Sequence, residues 1–341
     1  MGSGRAFTQD LAPVSLSADA VDPALVPHEE LADCAAEALG RDGRTILSYG
    51  SGGGYVPLRE LIGEWFSVHP SRVLLTNGQL NGLALLAWRF LPGRSVLIEY
   101  PIHDRAERVL LGAGASLTAI PVGPEGLVIE ELHHVLGMNT RPAMVHAIPS
   151  FNNPTGWTTP ADSRARIVDL VITQNRLQTE QIILFEDDAY GLTRFEGEAL
   201  PTLHALSGGR SVYSASFSTL VAPGLRVGFM LLPEGMADDL ERMATETAIT
   251  PALLSQATVF EFIERGAFEP HLERLRAGLR ERRDAMSEAL SRHIPGARWS
   301  SPEGGLFVWV ELPGSPDGRE VLRRAQGVTA LDGTKFAAVS S

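Results

Sequence analysis

The sequence predicts an α/β fold with a large domain built on a mostly parallel, seven-stranded sheet and a smaller α+β domain. Seven short apolar runs are separated by segments of helix length, and this alternation is typical of parallel sheets covered by helices. The runs are Val73–Leu75, Ser95–Ile98, Ser116–Ile120, Ala143–Ile148, Gln181–Phe185, Ser211–Ser214 and Val227–Leu232. Beyond residue 250 the pattern changes to long, charged segments of helical period.

The change in pattern also suggests the division of the chain. Residues 251–292 form the charged helical segments, and residues 305–311 have the apolar character of a strand that returns to a smaller domain. We therefore predict an N-terminal segment over residues 1–40, a large domain over residues 41–245 and a small domain over residues 246–341.

Composition excludes several classes of protein. The 341 residues include 29 basic and 41 acidic side chains, a net charge of −12, which argues against nucleic-acid binding and against a polybasic membrane surface. No apolar run has the length of a membrane-spanning helix. Cys34 is the single cysteine, so we expect a reducing, cytoplasmic location. None of the histidines shows the spacing of metal ligands, and we predict no metal site.

Lysine is almost absent from the chain. Lys335 is the only lysine, and the other 28 basic residues are arginine. Exchange of lysine for arginine on the surface explains most of these arginines. As a result, no side-chain amine is left in the middle of the chain.

Two segments have the composition of anion sites. Residues 76–80, Thr-Asn-Gly-Gln-Leu, follow a predicted strand and open a helix, whose free N–H groups suit a phosphate. Residues 216–228 combine two serines and an arginine around a Pro-Gly turn, which also suits a phosphate. Taken alone, the first segment is better explained as a capped turn.

Two further segments place polar groups after predicted strands. Residues 151–156, Phe-Asn-Asn-Pro-Thr-Gly, have the chemistry of a turn. Residues 185–191, Phe-Glu-Asp-Asp-Ala-Tyr-Gly, bring acids to the end of a buried run, where acids are costly unless they are paired. In doubly wound sheets, ligands bind at that edge.

In this order and spacing, the four segments resemble the class I aminotransferases of pyridoxal-phosphate fold-type I. The branch of aminoadipate and kynurenine aminotransferases, and the aminotransferase-like half of certain bacterial regulators, are the most similar. The resemblance extends from about Pro23 to Phe336 and includes residues 266–276 and 302–309. It implies pyridoxal 5′-phosphate or pyridoxamine 5′-phosphate as cofactor, and a small amino- or keto-acid-type ligand.

The resemblance also implies roles for particular residues. Tyr49 corresponds to a tyrosine that reaches the phosphate of a neighbouring subunit, so a homodimer with shared active sites is expected. The cofactor phosphate would contact Gly78, Gln79, Ser216, Ser218 and Arg226.

Three residues correspond to the groups that hold the cofactor ring. Asp187 would pair with the pyridine nitrogen, and we choose it over Asp188 because it lies three residues before Tyr190. Asn153 and Tyr190 would bind the phenolic oxygen of the ring.

The chain departs from the family in three places. Thr219 occupies the position of the lysine that forms the Schiff base and moves the substrate proton; a threonine hydroxyl can do neither. His103 stands where an aromatic residue stacks on the ring, so it is expected either to stack or to act as an acid–base group. The later strand with the arginine that binds a substrate carboxylate has no counterpart, which suggests a small domain truncated relative to the family.

Three hypotheses follow. The protein binds the cofactor non-covalently and performs atypical, lysine-independent chemistry. Alternatively, it is a catalytically dead homologue that acts as a binding or regulatory partner. In the third hypothesis it is an ordinary class I aminotransferase whose lysine was changed to threonine in this copy of the chain. Lys335 is expected on the surface, although folding of the small domain over the cleft would bring it to the edge of the site.

Overall fold

The computed structural model describes residues 14–16, 20–138, 141–177, 179–325 and 327–336. Strands in these ranges confirm the α/β class predicted from the alternating runs. They are β1 (Val14–Ser15), β2 (Val73–Thr76), β3 (Ser95–Tyr100), β4 (Ser116–Gly123), β5 (Gly126–Leu127), β6 (Met144–Ala147), β7 (Ile183–Asp187), β8 (Val212–Ser216), β9 (Gly228–Leu231), β10 (Arg298–Trp299), β11 (Val310–Glu311) and β12 (Val328–Thr329).

The main sheet has the strand order β2-β9-β8-β7-β6-β3-β4-β5. Strands β8, β7, β6, β3 and β4 pair in parallel, and β9 runs antiparallel to both of its neighbours. The sheet therefore contains eight strands and not seven, because the chain turns back after β4 and adds the two-residue β5. Every residue of β2, β6, β8 and β9 is buried, as expected for strands covered on both faces.

Helices connect the strands and cover both faces of the sheet. They are α1 (His28–Ile46), α2 (Val56–Phe66), α3 (Gln79–Phe90), α4 (Asp104–Gly112), α5 (Ile129–Gly137), α6 (Ala161–Leu177), α7 (Leu203–Leu206), α8 (Ala237–Ala248), α9 (Leu253–Glu264), α10 (Phe268–His293) and α11 (Gly318–Arg324). The apolar side of α10 contributes Leu272, Leu275 and Leu279 to the core beside α1 and α9. None of the helices in the described ranges is long and apolar enough to cross a bilayer.

Two short ladders lie outside the main sheet. Strand β10 pairs with β11, and β1 pairs in parallel with β12. The strand predicted over residues 305–311 is therefore wrong for most of its length, since only Val310 and Glu311 are in a ladder. Packing explains the difference: a Cβ at Gly304 would lie 2.3 Å from the ring of Phe151, so this stretch is a loop fitted closely onto the turn after β6.

Candidate functional site

The carboxyl ends of five strands of the main sheet lie along one edge. Because β2, β8, β7, β6 and β3 all run in the same direction, the residues that follow them meet there. Strand β9 runs in the opposite direction, so the residues that precede it lie at the same edge. Four of the sequence motifs converge in this way, together with the segment that holds His103.

Gly78 and Arg226 form a close contact at the start of α3. Gly78 has φ +84°, which glycine adopts readily, and a Cβ added there would lie 2.1 Å from Nη2 of Arg226. The guanidinium donates to the Asn77 carbonyl at 3.3 Å. An exposed cation beside a helix N-terminus is electrostatically unfavourable, because the free N–H groups and the dipole there favour an anion. An anion placed between Arg226 and α3 would satisfy both, so the geometry fits a phosphate.

Two serines complete this anion site, which we call the cup and define as Gly78, Gln79, Ser216, Ser218 and Arg226. Nη1 of Arg226 donates to Oγ of Ser218 at 3.3 Å, and the Ser218 amide donates to Oγ of Ser216 at 3.0 Å. The sequence proposed these residues as phosphate ligands, and the structure brings all five together.

Asp187 lies at the end of β7 and is held on two sides. Nε2 of Gln79 donates to Oδ1 of Asp187 at 2.7 Å and to the Ser214 carbonyl at 2.9 Å. Nε2 of His146 lies 3.6 Å from Oδ2. His146 is fully buried and stacks on Phe185, with 5.2 Å between ring centroids. The carboxylate of Asp187 is thus fixed in direction yet still 13% exposed, as a group that pairs with a ligand requires.

Asn153 and Tyr190 form the third part of the site. Nδ2 of Asn153 donates to the Tyr190 hydroxyl at 3.1 Å, and both residues are buried. Oδ1 of Asn153 has no hydrogen-bond partner among the described residues. Tyr190 also packs edge-on against Phe307, at 5.7 Å between centroids. An amide and a phenol held this closely can donate together to one ligand oxygen.

Thr219 is half-buried and lies at the same edge, three residues after β8 ends. Its hydroxyl donates to the Ala189 carbonyl at 2.8 Å. The side chain is therefore engaged with the protein, and a hydroxyl at this position offers no basic group.

His103 and Tyr49 occupy different environments. His103 directly precedes α4, and its side chain is 16% exposed with Nε2 4.0 Å from Oδ1 of Asp104. Tyr49 is 81% exposed. That exposure is compatible with a contact to another chain, and the predicted roles of both residues stay predictions.

Lys335 lies on a short helical turn, residues 333–336, and its side chain is exposed. The next residue, Phe336, accepts a hydrogen bond from the amide of Ile102 at 3.3 Å. The turn is therefore docked beside the segment that contains His103, so the only lysine of the chain is close in space to the strand edge.

Two residues near the site were not singled out from the sequence. His146 is the one ionisable side chain in the apolar run that forms β6. Glu99 is a single acid near the end of β3, and it binds Asn152 of the turn after β6. An ionisable residue within or directly after an otherwise apolar run was the signal that could have revealed both.

The reverse face of β7 holds a second group of charges. Glu186 accepts hydrogen bonds from the amides of Leu203 and His204, and Oδ2 of Asp188 accepts one from the Tyr213 hydroxyl at 2.8 Å. Burial raises the pKa of Glu186 to about 8, with a further contribution from the charge of Asp188. Burial also raises the pKa of Asp188. Successive residues of a strand face opposite sides, which separates these two acids from Asp187.

Arg164 is the buried cation on that reverse face. It donates to the carbonyls of Thr159, Pro201 and Pro149 and to the Ser150 hydroxyl. A cavity of about 850 Å³ lies beside Arg164 and Asp188, and no residue of the cup lines it. The described residues contain no cluster of side chains that could hold a metal ion.

Comparison with known proteins shows similarity to aminotransferases over most of the chain. The family model for aminotransferase class I and II matches residues 23–341. A 2-aminoadipate transaminase of Thermus thermophilus is 36% identical over 323 residues, which are 92% of this chain and 79% of that protein.

Two solved structures are similar over most of the chain. The α-aminoadipate aminotransferase LysN of Thermus thermophilus, in complex with N-(5′-phosphopyridoxyl)-L-leucine, is 34% identical with a TM-score of 0.89, covering 95% of this chain and 84% of its own. The kynurenine aminotransferase of Pyrococcus horikoshii, in complex with PMP, is 30% identical with a TM-score of 0.89, covering 96% and 83%.

Proposed function

The chain belongs to the class I and II aminotransferase family, and on that premise we propose that it binds pyridoxal or pyridoxamine phosphate without a covalent bond and acts on a small amino- or keto-acid-type metabolite. The relatives supply the cofactor class, since they include a phosphopyridoxyl complex and a PMP complex. The chemistry proposed here differs from theirs because it does not use a lysine at position 219.

One observation carries the proposal. The cup, Asp187 and the Asn153–Tyr190 pair lie at one strand edge, and each has a feature that a bound cofactor would satisfy. Arg226 is a cation at a helix N-terminus, the carboxylate of Asp187 is oriented but partly exposed, and two donors meet at one point. A site that had lost its ligand would be expected to lose one of these costly arrangements.

The residues of the chain divide the work of binding. The cup neutralises and orients the phosphate, with Arg226 suited to bidentate contact. Asp187, whose carboxylate is oriented by a hydrogen bond from Gln79 and lies beside His146, would favour a proton on the pyridine nitrogen. Asn153 and Tyr190, which are hydrogen-bonded to each other, would donate to the phenolic oxygen of the ring. The bound cofactor supplies an electron-withdrawing ring that stabilises negative charge on an attached carbon.

Proton transfer is the step for which the chain lacks the usual residue. The hydroxyl of Thr219 donates to Ala189 and is too weak a base to remove a proton near neutral pH. Losing a positioned acid–base group lowers a rate by about 10²–10⁴-fold. We therefore expect slow transamination or a different reaction, with His103 as a candidate proton carrier.

The assembly and location follow from the same proposal. Tyr49 is exposed and would reach the phosphate of a second copy, which would make a homodimer with shared sites. Division into a large domain over residues 41–245 and a small one over residues 246–341, and a cytoplasmic location, belong to the proposal.

A regulatory or binding role is the second candidate, and the threonine at position 219 favours it. Such a protein would retain the cofactor or a related phosphate ester but convert no amino acid. Measuring binding and turnover separately distinguishes the two candidates.

The experiment mixes the purified protein with pyridoxal phosphate, reduces the mixture with borohydride and maps adducts by mass spectrometry. We expect saturable binding, the absorbance of a free aldehyde and no adduct at residue 219. Thr219→Lys should give a reduced adduct at residue 219, because it restores the amine beside the cup.

Thr173→Lys is the matched control, since it adds a lysine at an exposed threonine of α6 near Asn175, which binds Ile182 at the opposite end of β7. It should leave the adduct pattern unchanged. Absence of binding by wild-type protein would contradict the proposal. If Thr219→Lys forms no adduct while binding persists, residue 219 is not adjacent to the cofactor aldehyde.

A further inference from the structure

Glu99 is a fully buried acid whose two oxygens both accept hydrogen bonds from the chain that follows β6. The amide of Ile148 donates to Oε1 at 3.0 Å, and Nδ2 of Asn152 donates to Oε2 at 2.6 Å. The ladder between β3 and β6 ends at the pair Ile98 and His146. Glu99 thus continues the connection between the two strands through its side chain, where the backbone ladder has stopped.

Asn152 links Glu99 to the turn that contains Asn153. Oδ1 of Asn152 accepts a hydrogen bond from the Thr155 hydroxyl at 2.8 Å, and the backbone N–H of Asn152 donates to the Trp157 carbonyl at 2.8 Å. The Asn152 carbonyl accepts from the amide of Gly156 at 2.6 Å. Asn152 therefore uses its side chain and both backbone groups to close the turn, and the next residue is the one that donates to Tyr190.

We propose that Glu99 is a positioning residue: through Ile148 and Asn152 it fixes the turn that aims Asn153, with Tyr190, at the phenolic oxygen of the cofactor. This inference rests on the proposed function. Glu99 touches neither Asn153 nor the cofactor position, so its effect is transmitted through Asn152.

Glu186 shows what a purely structural acid looks like in the same fold. It lies near the end of β7, which β6 separates from β3, is fully buried and also accepts two N–H groups. Its donors, however, are backbone amides of α7 and not groups of the turn that contains Asn153. The two acids differ in what they hold and not in burial, which makes Glu186 the matched control.

The charge of Glu99 determines how well it can hold the turn. Burial raises the pKa of Glu99 to about 7. The hydrogen bonds from Ile148 and Asn152 and the charge of His146 on β6 act against this rise. The carboxylate of Asp187 on β7 acts in the same direction as burial. Both donors need acceptor oxygens, so protonation weakens one of the two bonds. The turn is therefore held best above neutral pH.

The experiment measures the dissociation constant of pyridoxamine phosphate by calorimetry between pH 5.5 and 8.5. Glu99→Gln replaces one of the two accepting oxygens with an amide N–H donor. That donor then faces an N–H group of Ile148 or Asn152, with which it cannot form a hydrogen bond. We expect its affinity at pH 8.5 to fall about tenfold relative to wild type, as for loss of a buried hydrogen bond to a charged group. The ratio should shrink to about twofold or less at pH 5.5, where the wild-type acid is itself protonated.

Glu186→Gln should lose stability in the same manner but keep the wild-type affinity within about twofold across this range. Asn152→Ala removes the other partner of this hydrogen bond and should reproduce both the affinity loss at pH 8.5 and its decrease towards pH 5.5; it carries the test if Glu99→Gln does not fold.

Three outcomes would overturn the inference. Equal losses of affinity in Glu99→Gln and Glu186→Gln would mean that both acids act only through stability. Unchanged affinity in Glu99→Gln, with wild-type protein binding normally, would refute the role of Glu99 and leave the proposed function intact. Failure of wild-type protein to bind at all would overturn both.

Discussion

The two faces of strand β7 use adjacent acids in opposite ways. Asp187 faces the strand edge, where Gln79 and His146 hold it while leaving part of the carboxylate accessible. Glu186 and Asp188 face the reverse side and are buried among protein donors. The first arrangement suits an external partner, whereas the second stabilises the fold from within. Under the proposed function, three consecutive acids therefore divide into one ligand-facing residue and two structural ones.

The two faces also differ in their arginines. Arg226 is exposed and makes two weak contacts at 3.3 Å, one with Asn77 and one with Ser218. Arg164 is buried and makes four hydrogen bonds. This comparison predicts that removing Arg164 lowers the free energy of unfolding. Removing Arg226 should weaken ligand binding and leave the free energy of unfolding nearly unchanged.

Arg164→Met is expected to have the largest effect on stability. It leaves the carbonyls of Thr159, Pro149 and Pro201 without their donor, and buried Glu186 and Asp188 without the nearby positive charge. The free energy of unfolding should fall by about 3–5 kcal/mol, measured by urea denaturation. Arg280→Met, at an exposed position of α10, is the control and should cost less than about 1 kcal/mol. Equal losses in the two variants would remove the distinction between the faces.

Glu186→Gln is expected to change how stability depends on pH. The pKa of Glu186 is about 8 in the fold against an ordinary value of 4.5 for glutamic acid, so the folded state binds more protons between these values. Wild-type stability from this group is then complete below pH 4.5 and declines as pH rises from 4.5 through 8. Denaturation at pH 5 and pH 8 should show a decline about 3 kcal/mol smaller in the variant.

The exposed Asp284, mutated to Asn, is the control for this slope. It should leave the pH dependence of unfolding as in wild type. A Glu186→Gln protein whose stability falls with pH as steeply as wild type would show that the reverse face is not the origin of the decline.

Arg226→Ala is expected to have the smallest effect on stability. Its two contacts are long and exposed, so the free energy of unfolding should change by less than about 1 kcal/mol. A thermal melt in the absence of ligand measures this. A loss similar to that of Arg164→Met would mean that the cup is part of the structural core rather than a binding surface.

Much of the fold could be predicted because it depends on local patterns. Buried strands such as β2 and β3 contain continuous apolar runs, and the polar groups after them mark the carboxyl edge. The order of the motifs then identified the family. Strand β5 escaped prediction because two residues carry no periodic signal. In the strand predicted over residues 305–311, residues 305–309 are a loop, because the shape of this stretch depends on contact with Phe151, which is distant in sequence.

The residues of the candidate site differ in the same way in how far the sequence indicates them. Gly78, Ser216 and Arg226 belong to compact motifs, and the sequence indicated their shared role before their proximity was known. Glu99 and His146 are marked in the sequence only as ionisable groups in or beside apolar runs, and their partners lie on other segments, which a local pattern does not identify. The choice of Asp187 over Asp188 rested on spacing; its contacts with Gln79 and His146 now support that prediction.

Calorimetry with pyridoxamine phosphate and with pyridoxamine tests the central claim most directly, because neither compound has an aldehyde that could react with Lys335 or the N-terminus. We predict one site per chain for the phosphorylated compound, at least about 100-fold weaker binding without the phosphate, and a loss of about 10–100-fold in Arg226→Ala. Equal affinity for the two compounds, or wild-type affinity in Arg226→Ala, would contradict a phosphate-binding cup at the strand edge.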